Sequence, residues 1–341
     1  MQIHVLGPMV VFDERSEPVV LAPKPRRILA LLSVNADRAV SVNALVQELW
    51  GSEPPRTATA TIQTYIGQVR RTLADALDVS VAEIAREILV TEGSSYVLST
   101  ARVALDVTEY ELLAEEGTAA VERSEFTRGA DVLRRALSLW RGPALVNVEA
   151  GELLSARVVH LEESLLCAAE HRIYADLQRG AHRTLVPELS ELTARYPLHE
   201  NFHRHLMLAL YRCGRKAEAL AVMRRLRTRL VEELGLEPSP FLVQMEQDIL
   251  RGEPSLDRPQ ALTPCRQEAA WPPAPPAGSV PRGRRRCRRP AEPARRTVVA
   301  SCLVANCRSP IGCRAVRCAV RCGAAGACGR SVSGPERVRR H

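Results

Sequence analysis

The 341-residue chain contains no run of 18 apolar residues, so a membrane-spanning helix is not expected. It opens without a basic stretch leading into a long apolar segment, and a secretory signal is not expected either. Cysteine is almost missing from the first 251 residues. Only Cys167 and Cys213 occur there, each in an apolar helical pattern, as suits buried free thiols in a reducing cytosol. No G-x-x-x-x-G-K-[ST] segment occurs, which removes a phosphate-cradling loop of that type. A basic surplus is also lacking in this stretch. The net charge is +8, but residues 1–103 hold 10 basic and 11 acidic side chains, and residues 104–251 hold 19 and 23. Residues 252–341 hold 18 arginines and 5 acids, so the positive charge belongs to that tail. A nucleic-acid partner therefore has to be argued from local geometry rather than from total charge.

What is present divides into three regions by pattern. In residues 1–103, Ile3–Leu6, Val10–Phe12 and Val19–Leu21 read as strands of an N-terminal sheet. Lys24–Val34 carries Ile28, Leu31 and Leu32 at helical spacing. Ser41 can cap a second helix that Gly51 stops. The loop from Ser52 to Arg56 is polar and holds two prolines, and Thr57–Ala76 reads as a third helix. Glu87–Val90 and Tyr96–Ser99 flank Glu92-Gly93-Ser94 as a hairpin. Sheet, three helices and terminal hairpin together make an α+β winged helix-turn-helix.

Residues 104–251 read as helix throughout, with Gly117, Gly142, Gly151, Gly180, Gly214 and Gly235 near the ends of apolar-periodic segments. Leu206–Leu226 looks like a tetratricopeptide-type helical hairpin, although Val231 stands where that repeat carries proline. This region is expected to be an all-α, tetratricopeptide-like domain. Residues 252–341 have no period and are rich in Arg, Pro, Ala, Gly and Cys. They are expected to be disordered and without specific function. Their composition is what a GC-rich gene yields when read out of frame; the rival reading is a basic arm that touches DNA phosphates.

The chemistry concentrates on the third helix. At about 100° per residue, Ile62, Ile66, Val69 and Leu73 share one narrow arc, the buried face. Thr61, Thr64, Gly67, Gln68 and Arg71 lie opposite, with Arg70 on the flank. Short polar side chains around a glycine suit close approach to a major groove, where Thr and Gln reach base edges and Arg reaches guanine or phosphate. The bland alternative is a solvated surface. Arg56 and Thr57 stand where the helix N-terminus would meet the DNA backbone. The hairpin tip, with Gly93 and Tyr96, would be the wing. It has no Lys or Arg at its tip, so hydroxyl and backbone contacts are expected there. No catalytic residues are assigned and no cofactor is expected. Among His160, His171, His182, His199, His203 and His205, the pair His199 and His203 could share a helix face as metal ligands do. No third ligand accompanies them, so surface histidines are expected and no metal.

Four segments carry a family resemblance: LVQELWGSEPPRTATATIQTYIGQVRRTL (45–73), LSLWRGPAL (137–145), YPLHENFHRHLMLALYRCGRKAEAL (196–220) and LVEELGLEPSP (230–240). In this order they resemble the Streptomyces antibiotic regulatory protein family, over roughly residues 3–251. The resemblance implies a winged helix followed by a bacterial transcriptional activation domain, and a cytoplasmic, non-enzymatic activator. Such activators bind direct repeats near promoters, with a second copy alongside, and recruit RNA polymerase, often at secondary-metabolite gene clusters. It implies that Thr61, Thr64 and Gln68 face bases and that Arg70 and Arg71 hold phosphates or base edges. It implies a polymerase contact by the loop with Trp50, Glu53 and Pro54, whereas the residues alone favour a plain connector that positions the third helix. The chain departs from the family pattern at Gly67 and Gln68, where many members carry Ser and Arg. The competing class is a scaffold that binds partners through its helical hairpins and has lost DNA affinity; a mobility-shift measurement separates the two.

Overall fold

The computed structural model describes residues 1–257. Most of the expected tail, residues 258–341, lies outside them. Two small sheets and four helices form the N-terminal part. Strands β1 (Gln2–His4), β2 (Val10–Phe12) and β3 (Pro18–Val19) are antiparallel neighbours. The sheet's fourth strand, β7 (Ala104–Leu105), pairs parallel to β1 from beyond the expected domain boundary. β1 is shorter than Ile3–Leu6 because the N–H groups of Val5 and Leu6 leave the ladder. They donate instead to the Asp106 carboxylate, at 2.8 and 3.1 Å. The third expected strand likewise retreats from Val19–Leu21 to Pro18–Val19, leaving Val20 exposed.

Helix α1 (Pro23–Ser33) and helix α2 (Val42–Trp50) follow, with the Ser41 hydroxyl accepting from the Ala44 N–H as N-cap. The long helix α3 spans Ala58–Leu77. A fourth helix, α4 (Val81–Glu87), has no counterpart among the expected elements, since only Ile84 of it is buried and no apolar stripe announces it. Its local signal is a capping sequence: the Ser80 hydroxyl accepts from the N–H of Glu83. Strand β4 (Val40–Ser41) pairs with β6 (Ser95–Leu98), and β6 with β5 (Leu89–Glu92) in the C-terminal hairpin. The winged helix-turn-helix is thus complete.

The remainder is helical: α5 (Asp106–Glu122), α6 (Phe126–Ser138), α7 (Glu152–Gln178), α8 (His182–Arg195), α9 (Glu200–Arg212), α10 (Lys216–Leu234) and α11 (Pro240–Arg251). The hairpin read at Leu206–Leu226 is α9 and α10, turning through Gly214. Gly117 lies inside α5 rather than at a helix end. A Cβ there would stand 2.6 Å from Leu133 Cγ, so the glycine lets α6 pack closely against α5. Residues 252–257 do not belong to the tail. A 3-10 turn at Pro254–Leu256 buries Leu256, whose carbonyl accepts from Arg212 Nε at 2.7 Å.

Packing does not break at residue 103. One apolar cluster runs from Ile3 to Leu161 and joins the winged helix to α5, α6 and the first half of α7. A second runs from Ile173 to Leu256 around α9. Helix α9 packs against α7, α8, α10 and α11, and residues 202–210 are all buried. The expectation of surface histidines holds for His160, which is exposed, and fails on α9, because a helix enclosed on every side has no solvent face. His203 and His205 are buried, and so is His171 on α7. Among the described residues, no group of three or more His, Cys, Asp or Glu is placed to hold a metal, and no helix is long and apolar enough to cross a membrane.

Candidate nucleic-acid interface

Helix α3 presents the two faces its sequence implies. Ile62, Ile66, Val69 and Leu73 are at most 1% exposed and anchor it in the core. Thr64 and Arg71 are exposed, while Thr61, Gly67 and Gln68 are half-buried. The hydroxyls of Thr61 and Thr64 donate back to the carbonyls of Thr57 and Ala60, each at 3.0 Å, which leaves their lone pairs outward. Arg71 Nε donates to the Gly67 carbonyl at 3.2 Å, so this side chain lies along its own helix. Gln63 is also exposed, although its angle places it on the flank rather than on the polar face. Arg56 and Thr57 are exposed at the N-terminus, and Thr57 makes no capping bond with its side chain.

Arg70 does not join this face. Its Nε and Nη2 donate to the Leu89 carbonyl at 3.1 and 2.6 Å, and Nη2 also reaches Thr91 Oγ1 at 2.7 Å. The guanidinium stands 5.8 Å from the centre of the Tyr96 ring, and burial lowers its pKa. Tyr96 is 6% exposed, part of the core rather than of a DNA-facing tip. The expectation that both contact DNA is corrected: alternation along β6 turns Tyr96 inward, and Arg70 is occupied as a strap between α3 and the wing. Arg70→Ala should therefore cost about 1–3 kcal/mol of stability by leaving these acceptors unsatisfied. Its effect on DNA binding should be uniform across sequences. A selective loss at one base position, with stability unchanged, would restore the base-reading role.

The wing tip itself is exposed. Gly93 takes φ +58, a left-handed conformation that the tight turn requires and that side chains resist. The Ser94 carbonyl accepts from the Val42 N–H at 2.9 Å, which ties the tip to the start of α2. The loop between α2 and α3 is exposed from Gly51 to Thr57, including Glu53 and Pro54. Trp50 is different. It is half-buried against the apolar core, so it supports the loop from below instead of projecting from it.

Behind this unit sits a buried ion pair. Arg27 Nε donates to Glu48 Oε1 at 2.9 Å, and the Glu48 side chain is 0% exposed. The same carboxylate accepts from the N–H groups of Gly151, at 2.5 Å, and Leu154, at 3.0 Å. Gly151 is the N-cap of α7. A side chain on α2 thus caps the N-terminus of a 27-residue helix from 103 positions away. A Cβ at position 151 would collide with Arg27 Nη2 and the Glu48 carbonyl oxygen, so only glycine admits the pair.

Two family models match consecutive parts of the chain. The model for the transcriptional regulatory protein C-terminal domain matches residues 16–98, and that for the bacterial transcriptional activator domain matches residues 105–250. Regulatory protein DnrI of Streptomyces peucetius is 45% identical over 258 residues, covering 76% of this chain and 95% of that protein. Transcriptional regulator RedD of Streptomyces coelicolor is 35% identical, over 77% of this chain and 74% of its own. Regulatory protein AfsR of the same species is 36% identical over 77% of this chain, which spans only 25% of that longer protein. Among solved structures, Mycobacterium tuberculosis EmbR, in complex with a low-affinity phosphopeptide, superposes with a TM-score of 0.69 at 29% identity. That match covers 75% of this chain and 68% of the EmbR chain.

Proposed function

The chain belongs to the Streptomyces antibiotic regulatory protein family, and from that premise we propose that it activates transcription by reading promoter DNA through α3. One observation carries the reading. Among the described residues, the polar side of α3 makes no hydrogen bond beyond its own helix at Thr61, Thr64 and Arg71, while its opposite side is locked in the core. Thr61, Thr64, Gln68 and Arg71 face the major groove, Arg56 and Thr57 meet the backbone at the helix N-terminus, and Gly93 brings the wing tip to the flanking groove or phosphates. Two copies occupy tandem direct repeats in the cytoplasm, at the promoters of a secondary-metabolite gene cluster, and recruit RNA polymerase.

Gly67 supplies the test. A Cβ there meets nothing within 4 Å. Gly67→Ala should therefore stabilise the folded chain by about 0.5–1 kcal/mol, since glycine is the poorer residue inside a helix. The same methyl would stand between α3 and the groove floor, so specific affinity in a mobility shift should fall. Thr64→Ala, Gln68→Ala and Arg71→Ala combined should abolish specific binding, at about 1–3 kcal/mol for each base that is no longer read. Unaltered binding by the triple variant sinks the reading.

The exposed, proline-stiffened loop carrying Glu53 and Pro54 is the proposed polymerase contact. Glu53→Ala and Pro54→Ala should reduce in vitro transcription several-fold while leaving promoter binding intact. A parallel fall in both activities returns the loop to a connector that positions α3.

A further inference from the structure

Between α6, α7 and α8 the surface forms an open cleft of about 470 Å³, within the size range of small-ligand sites. It lies at the C-terminal end of α7, whereas the α2–α3 unit holds the N-terminal end through Glu48. Three arginines line it: Arg134 from α6, and Arg172 and Arg179 from α7. All three converge on one carboxylate. Asp176, 8% exposed, accepts from Arg134 Nη2 at 3.4 Å, and from Arg172 Nη1 and Arg179 Nη1 at 3.2 Å each. A single carboxylate neutralises one guanidinium, so the others need further partners.

Arg134 takes Asp131 at 2.8 Å, and Arg179 lies 4.0 Å from the same, largely exposed acid. Arg172 is 8% exposed, and its outer partner is Glu188, which reaches over from α8 with both oxygens. Glu188 itself is 44% exposed. A buried guanidinium fork is thus closed by a half-exposed, exchangeable carboxylate. The first turn of α8 lines the same cleft at Ala181 and Thr184 without a side-chain cap, which adds the positive end of that helix. Asp131, Asp176 and Glu188 balance the three arginines as the cleft stands, and withdrawal of Glu188 leaves one positive charge in surplus.

We propose that this cleft binds a phosphate group, free or as the monoester of a small metabolite, which displaces the Glu188 carboxylate from Arg172 and is shared with Arg134 and Arg179. Glu188 occupies the fork of Arg172 alone, with both oxygens. Three forks arriving from two helices match a tetrahedral acceptor with three terminal oxygens. The cleft's place at the far end of α7 from the α2–α3 unit separates it from the DNA backbone as a phosphate source.

The test is calorimetric titration of the full chain with inorganic phosphate and with AMP, at constant ionic strength, and with acetate for comparison. Saturable binding of one or both phosphates, and not of acetate, is the expected result; the tighter of the two identifies free phosphate or ester as the source. Arg134→Gln and Arg179→Gln alter side chains that are at least one-third exposed, and each should weaken binding about tenfold, as expected when one charge-assisted hydrogen bond is removed. Glu188→Gln should tighten binding several-fold, because it removes the competing carboxylate. Circular dichroism of each variant verifies the fold. The proposal is overturned if the wild type binds neither phosphate, if acetate binds as well, or if folded Glu188→Gln and the arginine variants all bind like the wild type.

Discussion

Glu48→Ala is expected to destabilise the protein by about 3–5 kcal/mol, the range for removing one partner of a buried ion pair. Three effects coincide at this side chain. Arg27, 9% exposed, is left without its carboxylate. The N–H groups of Gly151 and Leu154 are deprived of their acceptor, and α7 is deprived of the negative charge that opposes its dipole. Glu48→Gln keeps one acceptor oxygen and should fall between wild type and alanine. Arg27→Met combined with Glu48→Leu should cost less than the sum of the single changes, since no buried charge is then stranded. Chemical denaturation measures these differences. DNA affinity should fall with them, because the same carboxylate ties α2, next to the reading helix, to α7. A destabilisation below about 1 kcal/mol for Glu48→Ala would show that α7 is held by apolar packing alone.

The second large effect is acid lability of the helical region. Burial pushes His205 down to about 3 and His203 down to about 4, with Arg204 and His199 adding to the first and Arg229 and His199 to the second. The Pro197 carbonyl, which bonds His203 Nε2 at 3.0 Å, raises the latter only in part. In the unfolded chain both titrate near 6.5. Between these values the unfolded state binds more protons, so stability rises with pH across that window. Their contribution is complete above about pH 6.5 and drains away as the pH falls towards 4 and then 3. Two such groups amount to on the order of 5 kcal/mol between pH 7 and pH 4, at ~1.4 kcal/mol per unit of difference. His205→Leu should flatten the pH dependence of denaturation and shift the acid midpoint downward. An unchanged acid profile in His205→Leu would mean that His205 opens to water before the chain unfolds.

Both effects come from residues whose roles the sequence hides. Glu48 sits in an ordinary amphipathic helix, and nothing local distinguishes a glutamate that faces water from one that caps a helix 103 positions later. The histidines of FHRHL look like surface residues because their spacing is read against one solvent face, and α9 has none. Arg70 illustrates the same point within the candidate interface. Its angle on α3 places it on the flank, but whether a flank meets DNA or a strand depends on where β5 arrives. The capping signature Ser80–Glu83, by contrast, is written locally, but the helix it starts is too short to show an apolar stripe beside it.

The sequence by itself determined the order of β1 to β3, of α1 to α3 and of the C-terminal hairpin, the buried and exposed faces of α3, the Ser41 cap, the hairpin turn at Gly93 and the helical hairpin at α9 and α10. Each depends on neighbours within a few residues, through periodicity, capping and the φ that a glycine allows. Only the tertiary structure decided that Asp106 ends β1, that Glu48 joins α2 to α7, that Tyr96 and Arg70 turn away from the reading face, and that three arginines meet at the end of α7. Those arrangements join α3 to β5 across 19 positions and α2 to α7 across 106, and the last brings Arg134 to Asp176 across 42; local spacing carries no record of which distant donor will satisfy a buried acceptor.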